Sequence, residues 1–165
     1  MTVYSDYTAD EQQLLRASLE AAAVAVSAAS PGRKEETVSE GVAAATLVLK
    51  SGPAYVRNTL VTSVIVALEA SVKAEEHFPD YGKIASAPDA GQRSMDTLRA
   101  VTGLLDAKAT PDEATGYKGW LLRIAQVAAE AGKEDQGFLG MGGVKVNDAE
   151  RAVLQEIAEV LGIES

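Results

Sequence analysis

Apolar residues recur at spacings of three and four along most of the chain. In "LVTSVIVALEASV" Val61, Val64, Ile65, Leu68 and Val72 fall on one face, and near the end Val153, Leu154, Ile157, Val160 and Leu161 do the same. This period belongs to helices that turn one stripe toward a core. Helix starts are marked as strongly. Thr8 with Glu11, Thr37 with Glu40, Asp89 with Gln92, Thr110 with Glu113 and Asn147 with Glu150 each have the spacing of a capping box, in which two side chains satisfy two orphan backbone N–H groups. Pro111 and Pro53 stand where a first helical residue loses nothing by lacking its N–H. The pattern predicts helices at about 9–29, 38–50, 53–77, 90–107, 111–132 and 148–161, with Gly162 closing the last. Strand-like alternation is confined to Val144 and Val146 in "GGVKVND", too short to compete. The expected fold is all-α: one domain over residues 1–165, a bundle of about six or seven helices.

Composition supports that reading. Hydrophobic residues make up 47% of the 165-residue chain but aromatics only 5%, and the difference is largely alanine, which favours helices and lets them approach closely. A chain of this length buries roughly two thirds of its unfolded surface and needs no covalent staple. It has no cysteine, so disulfides, thiolate metal sites and cysteine nucleophiles are excluded. A net charge of −9 disfavours nucleic acid and favours cations or basic partners, while also serving solubility. "MTVYSDYTADEQQ" has no basic segment leading into an apolar run, and the longest apolar patches are broken by Glu20 and Glu69, short of the ~20 residues a membrane span needs. A cytoplasmic protein without a membrane span is expected.

Two connections are long for a small bundle, 78–89 and 133–147. The second contains "GFLGMGG", four glycines in seven residues. Around it runs an internal echo: residues 19–48 and 121–160 each give an Ala/Val-rich helix, a glycine-containing loop, a capping box and another amphipathic helix. The ending "GGVKVNDAERAVLQEIAEVLGI" resembles the second half-repeat of the TerB-like, tellurite-resistance group of small helical proteins, and "AVSAASPGRKEETVSEG" occupies the place of the first. The resemblance covers roughly the first 50 and last 45 residues. It implies a pseudo-repeat, a role in stress or metal-ion response without enzymatic activity, and loop carboxylates that bind a divalent cation. The first loop, Ala29-Ser30-Pro31-Gly32, lacks an acidic residue, so a cation site is expected in the second.

A hard cation such as Ca²⁺ or Mg²⁺ takes several oxygen ligands converging on one point. Glu134, Asp135, Asp148 and Glu150, with Asn147, supply them if the glycine-rich segment folds back. The competing explanation is that Asp148 and Glu150 are simply acidic residues in a first helical turn, favoured by the dipole, with Glu134 and Asp135 solvated. Nucleotide loops are ruled out by spacing: Gly143 is followed by Val144 and Lys145 rather than Lys-Ser or Lys-Thr, and no strand precedes a G-x-G-x-x-G. Phe138, Leu139 and Met141 either plug into the bundle or meet a protein partner or second copy, the alternative being a homodimeric interaction module without metal. His77, the one histidine, stands in "AEEH" with Ala74 where a Glu-x-x-His motif needs its Glu, so a di-iron site, which takes two such motifs, is not supported, and His77 is expected in the last turn of its helix. Trp120 with Ile124 and Val127 is expected in the core, with Tyr117 and Trp120 also placed to line a cleft. No catalytic constellation emerges.

Overall fold

Two of the predicted capping boxes close as their spacing demands. The Thr8 N–H donates to Glu11 Oε2 at 2.8 Å while the Glu11 N–H reaches Thr8 Oγ1 at 3.4 Å, and Thr110 with Glu113 repeats the exchange at 3.1 and 3.4 Å. These start α1 (Ala9–Ala29) and α4 (Pro111–Ala131). Between them lie α2 (Thr59–Lys73) and α3 (Ala87–Lys108), and α5 (Asp148–Leu161) follows. A 3-10 turn at Tyr4–Asp6 precedes α1. The computed structural model describes residues 1–29, 55, 57–74, 87–131 and 148–164; within them every regular element is helical and five are α-helices. The all-α expectation holds, while the helix expected at 38–50 lies outside the described residues.

Three boundaries differ from the sequence reading. The second described helix begins at Thr59 rather than residue 53, because Asn58 caps it: Asn58 Oδ1 accepts the Val61 N–H at 3.0 Å. Its end at Lys73 leaves His77 outside the described residues. The next helix begins at Ala87, which puts Asp89 inside its first turn rather than at its cap. There Asp89 Oδ2 lies 3.3 Å from Arg93 Nε, and the Gln92 amide donates to Asp96 instead of back toward a cap. At the far end Gly162, at φ 69°, closes α5 with paired bonds, Gly162 N to Glu159 O at 3.0 Å and Ile163 N to Ala158 O at 2.9 Å.

The central element is α1. It packs most extensively on α3 and also touches α2, α4 and α5. Its segment Ala21–Val26 is buried without interruption, so this stretch is apolar all round, as a helix segment surrounded by others must be. Small side chains permit the approach: a β-carbon placed on Gly91 of α3 meets Ala28 Cβ at an ordinary 3.7 Å. Around α1 the stripes fill the core as their periods predict, with Val61, Val64 and Leu68 from α2 and Ile157 and Leu161 from α5 all buried. Tyr117 and Trp120 are fully buried and stack edge to face, their ring centroids 5.4 Å apart. They line no cleft. The Tyr117 hydroxyl donates to the Leu15 carbonyl at 3.0 Å, an acceptor shared with Ser18 Oγ at 2.7 Å. Among the described residues no helix is long and apolar enough to cross a membrane.

Candidate functional site

Glu113 is a carboxylate in the first turn of α4, where the helix dipole favours it, yet only 6% of its surface is exposed. Four donors converge on it. The Thr2 N–H reaches Oε1 at 2.7 Å and the Thr2 hydroxyl reaches Oε2 at 3.1 Å, while the Thr110 N–H and hydroxyl donate to Oε2 at 3.1 and 2.9 Å. Burial alone pushes this carboxyl upward, but the hydrogen bonds from Thr2 and Thr110 outweigh it and hold Glu113 below the ordinary carboxylate value. A carboxylate whose lone pairs are taken by four donors is an anchor rather than a proton acceptor.

Its surroundings tie three elements together. The main-chain carbonyl of Glu113 accepts Asn58 Nδ2 at 3.0 Å, which joins the start of α4 to the cap of α2. The Tyr55 hydroxyl donates to the Gly119 carbonyl at 3.0 Å. Next to the Thr2 contact, Tyr7 is buried, with Lys108 Nζ 5.7 Å from its ring centroid. Lys108 also pairs with Glu11 Oε2 at 2.7 Å; that bond first, with the Thr8 N–H, holds the Glu11 carboxyl below its usual value. Burial raises the Tyr7 phenol above its ordinary value. An open cleft of about 590 Å³ lies alongside, lined by Met1, Tyr55, Arg57, Asn58, Asp112 and Glu113 among others. Its charged lining is mixed, one guanidinium against two carboxylates, so it offers no single-sign field to a ligand.

Of the carboxylates expected to hold a cation, Asp148 and Glu150 are described and Glu134 and Asp135 are not. Asp148 is fully exposed, its Oδ1 3.3 Å from Arg151 Nη1, whereas Glu150 is 7% exposed. Residues two apart on a helix point to different sides, so this pair does not form a shared chelate by itself. Among the described residues no three His, Cys, Asp or Glu side chains cluster to hold a metal. Asn147 and the apolar trio Phe138, Leu139 and Met141 also lie outside the described residues.

The sequence marked Glu113 only as the partner of Thr110. Its second role depends on Thr2, 111 residues away, and no local pattern announces such a contact. Comparison with known proteins returns no matching family model, no matching curated protein and no matching solved structure.

Proposed function

We propose that the chain is a non-enzymatic, TerB-like helical protein of cytoplasmic stress or metal-ion response, which binds a divalent cation such as Ca²⁺ or Mg²⁺ beside the start of α5. One observation carries the reading: α1, α4 and α5, the helices that bear both halves of the resemblance, pack on one another in a bundle completed by α3. In this reading the helix expected at 38–50 completes the first half, making a six-helix pseudo-repeat. Asp148, exposed at the N-terminal end of α5, is the ligand a cation meets first, with Glu134 and Asp135 completing its oxygen shell. Glu150 is buried in the first turn of α5, where the helix dipole favours a carboxylate.

A thermal-shift titration with Ca²⁺, Mg²⁺ and Mn²⁺ tests this. Binding to the folded state alone stabilises by about 2.7 kcal/mol at a free metal concentration of 100 times Kd, so a rise in Tm with metal concentration is expected. Asp148→Asn combined with Glu134→Gln should abolish the rise and leave the metal-free Tm close to that of the native chain. A wild-type Tm that does not move at millimolar metal refutes the cation site.

A further inference from the structure

The segment before α1 is held in an unusual way. No residue of the 3-10 turn Tyr4–Asp6 is fully buried and Met1 is 91% exposed; apart from Tyr4, which is partly buried against the core, apolar burial does little to fix this stretch until Tyr7 is reached. Its polar ties to the rest of the molecule are few. Thr2 gives two bonds to Glu113, the Tyr4 N–H gives one to Ser63 Oγ at 2.8 Å, and the Tyr4 hydroxyl makes a long 3.5 Å contact with the Gln12 carbonyl. The Val3 N–H donates within the segment, to Asp6 Oδ2 at 2.9 Å. Both close ties of Thr2 therefore run to one carboxylate, with a longer 3.5 Å contact between its hydroxyl and the Tyr7 phenol, and that carboxylate borders the 590 Å³ cleft together with Met1 and Thr110.

We propose that residues 2–6 form a detachable strap latched by Glu113 and hinged at Tyr7, and that neutralising this one carboxylate releases the strap and widens the cleft while α1, α3, α4 and α5 stay folded. The charge matters because a carboxylate accepts from both Thr2 groups and both Thr110 groups, whereas a protonated acid must itself donate and loses acceptor strength. The helix survives the loss, since the Thr110 hydroxyl still accepts the Glu113 N–H. The charged and titratable groups around the latch are Asp6 on the strap, the Tyr7 phenol at the hinge, Glu11 on α1, Lys108 at the end of α3, Arg57 across the cleft and Asp112 on α4 itself. Of these, Asp6, Glu11 and Asp112 are carboxyl groups as well. Asp6 bonds inside the strap, and Glu11 bonds to the cap of α1 and to Lys108, so neither holds Thr2 and Asp6→Asn and Glu11→Gln serve as controls. Lowered proton affinity at Glu113 places release on the acid side of the usual carboxylate range.

The chain has no cysteine, so Ser5→Cys, on the exposed side of the strap, accepts a single maleimide fluorophore. Label anisotropy reports the strap and far-UV circular dichroism reports the helices. On acidification anisotropy should fall before helical signal is lost. Glu113→Gln should give low anisotropy already at pH 7, with the two control variants unchanged there. Thr2→Pro removes both strap donors and leaves the α4 cap intact; it should release the strap at pH 7 with native helical signal and abolish the acid step, even if Glu113→Gln does not fold. Anisotropy and helix content falling together in the wild-type background, or native anisotropy in Thr2→Pro at pH 7, overturns the proposal.

Discussion

At the scale of single residues, two glycines of apparently equal standing have opposite roles. Gly103 in α3 faces open space: a β-carbon there meets nothing within 4 Å. Gly116 in α4 sits against Asn58, and a β-carbon there would overlap the Asn58 amide nitrogen. That amide cannot step aside cheaply, because its oxygen caps α2 through Val61 and its nitrogen holds the Glu113 carbonyl. Gly103→Ala should therefore stabilise the protein by about 0.5–1 kcal/mol, the usual helix-interior gain. Gly116→Ala should destabilise it despite the same propensity gain, by about 1–3 kcal/mol, the cost of leaving a buried donor or acceptor unmade. Urea denaturation of both variants reads the contrast, and equal stabilisation would show that Asn58 is free to move. The sequence distinguishes neither glycine from the other. What separates them is a side chain 58 residues into the chain meeting the first turns of another helix, a tertiary fact with no periodic signature.

At the scale of elements, α1 shows how alanine shapes this fold. Ala21, Ala22 and Ala25 are buried within a helix that touches every other described α-helix, and small side chains of this kind let helices approach closely. Ala22→Leu keeps helix propensity and adds volume where none is available, so it should cost about 1–3 kcal/mol in overpacking. Ala100→Leu on the exposed side of α3 should stay within about 0.5 kcal/mol of the parent. Thermal unfolding of the pair separates packing from propensity; similar Tm values would mean that the α1 environment yields. Helices of this kind are largely legible beforehand, since α1, α4 and α5 begin and end within a residue of the positions expected from caps and stripes. Misplaced starts have a shared cause. At Asp89 a locally acceptable start signal is outcompeted, since Asp89 is used by Arg93 one turn on, and α2 starts where Asn58 provides a cap that also bonds across to α4. Local grammar proposes several starts, and tertiary contacts choose among them. The candidate site is less legible for the same reason, because Thr2 and Glu113 are joined only by the fold.

For the whole molecule the net charge of −9 and the buried anchor act in opposite directions on acidification. Protonating surface carboxylates relieves self-repulsion and favours the compact state. Protonating Glu113 does the reverse. Its proton affinity is lowered in the folded state relative to the ordinary value of 4.5, so the unfolded chain takes up the proton first. The stabilisation it gives is complete above that value and is lost as pH falls through the lower, folded one. At the basic end Tyr7 and Tyr117, both raised by burial, contribute stability that is full below the ordinary phenol value of 10.0 and declines above it. A plateau between these limits is expected, falling at each end. Comparison of wild type with Glu113→Gln isolates the anchor, since the surface charges are common to both. Their difference in unfolding free energy should be about 1.5–3 kcal/mol at pH 7, the scale for hydrogen bonds to a charged group. It should shrink steadily as pH drops below 4.5 and approach zero once the native carboxyl is protonated. A difference that stays constant from pH 7 to pH 3 would mean that the carboxylate charge contributes nothing and that shape alone holds Thr2 and Thr110 in place.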